Sequence, residues 1–248
     1  MAGMVQRGHA TETPTDERPL VAATMFGVTT PCVERARQLL EHAGYEVLVF
    51  HATGNGGRAM ESLVREGLFA GVLDITTTEL ADEVVGGFLS AGGDRLTAAG
   101  ACGVPQVVSV GATDMVNFYA PGTVPPKFKR RTFYPHNPSV TLMRTTAEEC
   151  AEIGADIGRK LSSAQGPSMV LLPRQGVSAI DRAGQPFDDP AARQSLFAAL
   201  RKAAGSVPIV ELDAHINDEE FAVAAAQRLI ELMQQKANGR KSRNSKFE

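Results

Sequence analysis

A chain of 248 residues with 43% hydrophobic residues, 24 glycines and 14 prolines can bury one good-sized core linked by tight loops, which excludes a disordered or collagen-like polymer. A net charge of −3 offers no general attraction for DNA, and no apolar run reaches the roughly 18 residues that cross a bilayer. A soluble, cytoplasmic protein with no DNA or membrane partner is therefore expected. Cys32, Cys102 and Cys150 are odd in number and far apart, which argues against a disulfide framework and a zinc knuckle.

Residues 1–18 hold no sustained apolar period and are expected to form a flexible lead-in. From there, short apolar runs alternate with amphipathic patterns: strand 20–26, helix 31–43, strand 46–50, helix 58–66, strand 71–75, helix 78–88, strand 106–110, helix 146–162, strand 168–172, helix 190–203, strand 208–211 and helix 218–235. Continuous apolar strands of about five residues are the mark of a parallel sheet covered on both faces. The fold class is thus α/β: a doubly wound, mainly parallel, Rossmann-like sheet in a single domain over residues 19–237. Residues 238–248, polar and basic, are expected to be a disordered tail.

The rhythm breaks at residues 111–144, a long excursion with five prolines and with Phe118, Tyr119, Phe128, Phe133 and Tyr134. An excursion of this kind covers a site or makes an interface, and its aromatic surface leads to the expectation of a homo-oligomer.

In a parallel sheet, ligands bind outside the carboxyl ends of the strands, so the loops there are the places to look. After the first strand, Gly27, Thr29 and Thr30 precede a helix starting at Pro31; they can either cap it or present free amides and hydroxyls to an anion. After the second, His51 leads into Gly54, Asn55, Gly56, Gly57 and Arg58, a flexible run of backbone donors with a possible general base. The third carries Asp74 near its end and leads into Thr76 and Thr77; if buried, Asp74 needs a ligand hydroxyl, a metal or an arginine. The excursion adds Asp114, Asn117, His136, Asn137 and Arg144, and the fifth strand leads into Gly176, Ser178 and Asp181. Ser178 lies in GVSAID rather than a G-x-S-x-G elbow, which argues against a serine hydrolase. His51, His136, His215, Asp74 and Asp114 suit a metal by type, but none lies in a recognised ligand spacing, and no metal site is expected.

The segments TMFGVTTPCV, HATGNGGRAME, GVLDITTTELADEV, GVPQVVSVGATDMVNF, HNPSVTLMRTT, LLPRQGVSAIDRAGQPFDDP and HINDEEFA, in this order, resemble the tomato mosaic virus resistance protein family, ATP-binding-domain proteins of uncharacterised function. The likeness spans roughly residues 19–235 and is to the C-terminal domain of those longer proteins. It implies an N-terminal ATP-binding domain as a partner, in cis or in trans, with ATP or another phosphorylated ligand entering through that domain.

Three functions compete. The leading one is a domain that binds a small anionic or phosphorylated ligand at the strand ends, beside an ATP-binding domain. Another is a hydrolase or lyase of a small carbonyl or carboxylate compound, in which His51 or His136 moves protons and Asp114 orients it. The last is a protein-interaction scaffold built on the aromatic and basic loop between Phe118 and Tyr134.

Overall fold

The computed structural model describes residues 18–244; residues 1–17 of the expected lead-in, and residues 245–248, lie outside the described residues. Six strands form one wholly parallel sheet: β1 (Leu20–Met25), β2 (Glu46–His51), β3 (Gly71–Thr76), β4 (Gln106–Gly111), β8 (Ser168–Pro173) and β9 (Ile209–Leu212), in the order β2-β1-β3-β4-β8-β9. Strands β3 and β4 are buried along their whole length, as apolar runs covered on both faces must be.

Side-chain alternation sorts the helices into two layers. Val21, Ala23, Leu73, Val107 and Leu171 point to one face and pack with α1 (Thr30–His42) and α7 (Glu219–Asn244). Ala22, Val72, Val108, Val110, Val170 and Leu172 point to the other. There they meet α2 (Asn55–Arg65), α3 (Thr78–Val85), the short α4 (Ala98–Ala101), α5 (Ala147–Ser162) and α6 (Pro190–Ala203). The chain moves from β1 outward to β2 and then back across β1 to β3, so the strand order reverses between β1 and β3.

Helix α3 stops at Val85, short of the expected residue 88, because Gly86 closes it in the left-handed region at φ 96°. Helix α7 runs to Asn244, so residues 238–244, assigned by composition to the basic tail, carry helical backbone.

The proline-rich excursion is itself a small antiparallel sheet: β5 (Met115–Phe118), β6 (Phe133–Asn137) and β7 (Val140–Arg144), in the order β5-β7-β6. One face, with Met115, Tyr134, Val140 and Leu142, packs on Phe26, Val28, Ala112, Ile180 and Phe187 at the carboxyl edge of the main sheet. The other face, with Val116, Phe118, Phe133 and Met143, covers Phe128, Val85 and Val124.

Candidate functional site at the carboxyl edge

All six parallel strands point their carboxyl ends to one edge, and the loops there are tied to one another. The amide of Ala179 donates to the carbonyl of Val28 (3.0 Å), that of Ala112 to Val177 (2.9 Å), that of Thr77 to Gly111 (3.0 Å) and that of Ile216 to Gly176 (3.0 Å). The Asn217 side-chain amide also donates to Val28 O (2.9 Å). Ala112 takes a left-handed φ of 57° to turn the chain after β4, a conformation costly for a residue with a Cβ and held by this web of bonds.

The first cluster on this edge is centred on Arg95, which follows α3 and precedes α4 and whose fully buried guanidinium meets residues of α2, β3 and α3. It makes a forked pair with Asp74 (2.5 and 2.7 Å), donates to Glu79 (2.7 Å) and reaches Glu61 at 3.4 Å. Burial opposes the charge, but Asp74, Glu79 and Glu61 outweigh it and hold the Arg95 pKa above its ordinary value. Asp74 also accepts the Thr24 hydroxyl (2.7 Å), and the hydroxyls of Thr29 and Thr76 lie 2.8 Å apart. Thr77 donates to Ser109 O (3.0 Å). Of the partners that sequence allows for Asp74, the structure supplies the arginine.

Glu79 also accepts the amides of Gly54 (2.6 Å) and Gly57 (3.1 Å), so the anion this glycine-rich loop holds is the chain's own carboxylate. The glycines are there for close approach: a Cβ at Gly57 would overlap the Glu79 carboxylate, and one at Gly56 would overlap the His51 carbonyl. Asn55 is exposed and accepts from Arg58 (2.8 Å). Gly27, by contrast, is exposed, and a Cβ there would meet no atom within 4 Å. Thr30 is half-buried, and among the described residues its hydroxyl bonds only back to Phe26 O (3.3 Å).

The second cluster joins the excursion to the loop after β8. Ser178 donates to Asp114 Oδ2 (2.8 Å), while Asp181 accepts the Val177 amide (3.0 Å) and Arg193 (2.6 Å) and lies 3.5 Å from Arg144 Nη2. Arg144 donates to Phe187 O (2.8 Å) and to Thr145 Oγ1 (2.7 Å). Burial, with the nearby Asp181 charge adding to it, pushes the Asp114 carboxyl up to about 7, although Arg144 and the Ser178 hydroxyl pull the other way. Gly176, at φ 136°, passes so close to Asp181 and the His215 ring that no side chain fits.

His215 is buried, and burial lowers its pKa. Its Nδ1 accepts the Asn217 amide (3.1 Å), which leaves Nε2 to donate to the Ser178 carbonyl (2.8 Å) rather than to the Ser178 hydroxyl. No Ser–His–Asp triad is assembled here. Asn117 forms a further buried tie: its amide and side chain donate to Asp82 (2.7 and 3.1 Å) and its side chain to Thr78 (3.2 Å). Burial raises the Asp82 carboxyl to about 7 against the hydrogen bonds from Asn117 and Leu89 that favour its charge.

The candidate acid and base groups are not assembled into one set. His51 is exposed at the end of β2 and stacks on Phe26 with ring centres 5.4 Å apart. His136 is exposed where the β6 register slips between Pro135 and Asn137. Among the described residues no hydrogen bond or ion pair joins either histidine to buried Asp114. Glu61, Asp82, Arg95 and Arg193 complete the buried clusters but carry no motif of their own, and Glu79, which by sequence offers only helix-start capping, instead holds the glycine loop and Arg95; the one signal was the need of Asp74 for a cation.

The C-terminal domain of an uncharacterised protein family, UPF0261, matches residues 18–233. The chain belongs to this family. It is 54% identical to a UPF0261 protein of Clostridium tetani over 94% of its own length and 58% of that protein's. A Rhizobium meliloti UPF0261 protein is 54% identical over 85% of the chain and 54% of that relative. The ToMV resistance protein Tm-1(GCR237) of tomato is 48% identical over 86% of the chain but 28% of its own length, which bears out the family resemblance read from the motifs. The chain thus spans little more than half the length of these bacterial relatives. Among the described residues, no helix is long and apolar enough to cross a membrane.

Proposed function

We propose that this domain binds a small anionic ligand bearing hydroxyl groups, of the phosphorylated or hydroxycarboxylate class, between the carboxyl edge near β1 and the small sheet packed against it. The observation that carries the reading is a set of orphans. Asp114 Oδ1, Asn117 Oδ1 and Asn217 Oδ1 are three of the seven buried side-chain atoms without a hydrogen bond among the described residues, and Arg144 Nη2, a fourth, has only its 3.5 Å ion pair with Asp181. A buried polar atom left unmade costs roughly 1–3 kcal/mol, so their concentration here calls for a polar occupant. Arg144 Nη2 supplies a cationic donor, protonated Asp114 a neutral one, and the two amide oxygens accept from hydroxyls. Gly27 and Thr30, at the start of α1 and at the reversal of strand order, leave room for the anion. Because the relatives are longer, the partner we propose is a further domain, ATP-binding in this family by the resemblance above.

Calorimetry with inorganic phosphate, nucleotides and small hydroxycarboxylates, with and without the N-terminal domain, tests the reading. Gly27→Val and Thr30→Val are both expected to weaken binding; losing one neutral hydrogen bond at Thr30, about 0.5–1.5 kcal/mol, corresponds to roughly two- to twelvefold. Absence of binding by every probe sinks it. The pH near 7 at which Asp114 titrates favours a second reading, acid–base catalysis of a hydrolase or lyase reaction, with Asp114 rather than His51 or His136 as the group to test. Asp114→Asn would then abolish turnover while leaving substrate affinity within a few-fold. The tomato relatives named for ToMV resistance and susceptibility match at 48% and 47%, so the likeness favours no antiviral role for this domain.

A further inference from the structure

A separate groove of about 470 Å³ lies on the face of the small sheet opposite to Leu142 and Arg144. Because neighbours along a strand point to opposite faces, Thr141 looks into this groove, across the ladder from Pro135 and beside Phe133. Pro121, Val124 and Pro125 complete its apolar walls, and Lys129 supplies the one charge. The volume is that of a small-molecule site, and the proline rings have no rotamers to freeze when a ligand settles against them.

We infer that this groove binds a small apolar carboxylic acid with an aromatic or branched body. Two observations point to the carboxylate. Thr141 is 4% exposed, yet its hydroxyl oxygen has no hydrogen-bond partner. Thr141 lines the groove, and a buried hydroxyl without a partner is stabilised when its side chain turns to an acceptor that enters there. The Lys129 ammonium makes no ion pair among the described residues, whereas Arg131 pairs with Glu149 (2.6 Å) and Lys127 lies over the Phe128 ring (4.6 Å); Arg130, the other basic residue of this run, does not line the groove. A carboxylate that accepts from Thr141 and pairs with Lys129, its hydrocarbon body against the prolines and Phe133, uses every group lining the groove. A neutral molecule of the same shape leaves the ammonium idle.

The test is a titration of the full chain with benzoate and 3-methylbutanoate against benzyl alcohol as the neutral counterpart, followed by amide NMR shifts and calorimetry. The acids are expected to bind at least about tenfold more tightly than the alcohol, the difference a charge-assisted hydrogen bond makes. Lys129→Met removes that preference and leaves the alcohol unaffected. Thr141→Val, which deletes an unsatisfied buried hydroxyl, raises the unfolding midpoint yet weakens the acids several-fold, a combination that a merely structural threonine does not produce. Gly122→Val tests location: its Cβ meets no atom within 4 Å, so the fold stands while the groove narrows and binding falls. Equal affinity for acid and alcohol overturns the proposal. So do shifts confined to residues outside the groove, or acid binding unchanged in Thr141→Val.

Discussion

Arg95 sits among three buried carboxylates, Glu61, Asp74 and Glu79, with its own side chain inaccessible. Removing one partner of a buried ion pair is more damaging than never having had it, because the remaining charge stays buried and unpaired. Arg95→Met is therefore expected to lose roughly 3–5 kcal/mol in urea unfolding. Arg95→Lys should recover little of that, since an ammonium cannot make the forked contact to Asp74 while also reaching Glu79. A second expectation concerns pH. Asp82 and Asp114 titrate near 7 in the fold against 3.8 ordinarily, so the folded state binds the extra protons. Their contribution to stability is fully present below about pH 4 and is lost as pH rises through about 7. Thermal unfolding between these limits should show it, and Asp114→Asn should flatten part of the slope; an identical slope in that variant would refute the assignment. The two glycine loops can be told apart as well. Gly27→Val should fold as the parent does, whereas Gly56→Val, which drives a side chain into the His51 carbonyl, should not fold and is no probe of binding.

Helices α5 and α6 pack closely enough that α5 has no side chain at two positions of the contact. A Cβ at Gly154 would overlap the Leu196 carbonyl, and one at Gly158 would reach Ala203 Cβ at 2.6 Å. Gly154→Val should cost about 1–3 kcal/mol by overpacking and lower the denaturation midpoint without touching the carboxyl edge. Much of this architecture was legible. Six strands of the main sheet were each a short, mainly apolar run, and α6 begins and ends where its pattern does, at Pro190 and Ala203. What escaped was short or locally contradictory. Strand β6 carries Pro135 and slips register beside His136, β5 has four residues, and α4 is a single turn, so none offers enough period to read. At the site, Asp74 announced a missing cation, but Arg95 comes 21 residues later in a glycine-rich stretch with no pattern of its own. The polar residues after the strands were legible as a group; that most of them bond to one another depends on which loops the strand order makes neighbours.

Taken whole, the molecule presents an aromatic surface where the small sheet meets α3. Phe88 and Tyr119 are 47% and 54% exposed and stack with ring centres 4.6 Å apart. Rings paired in this way outside the core suit burial against another copy. Light scattering at micromolar concentration is expected to give a mass above that of one chain, and Phe88→Glu should return it to one chain; a monomer throughout refutes the expectation.

The Glu79 carboxylate in the glycine loop has a consequence for any phosphate that approaches it. Being fixed to α3, Glu79 competes as a tethered ligand, and a phosphate has to displace it from the Gly54 and Gly57 amides. The loop behaves as an anion site permanently inhibited from within. On the ligand-binding reading proposed above, an anion is therefore expected at Gly27, the neighbouring loop without a resident carboxylate, rather than at residues 54–57.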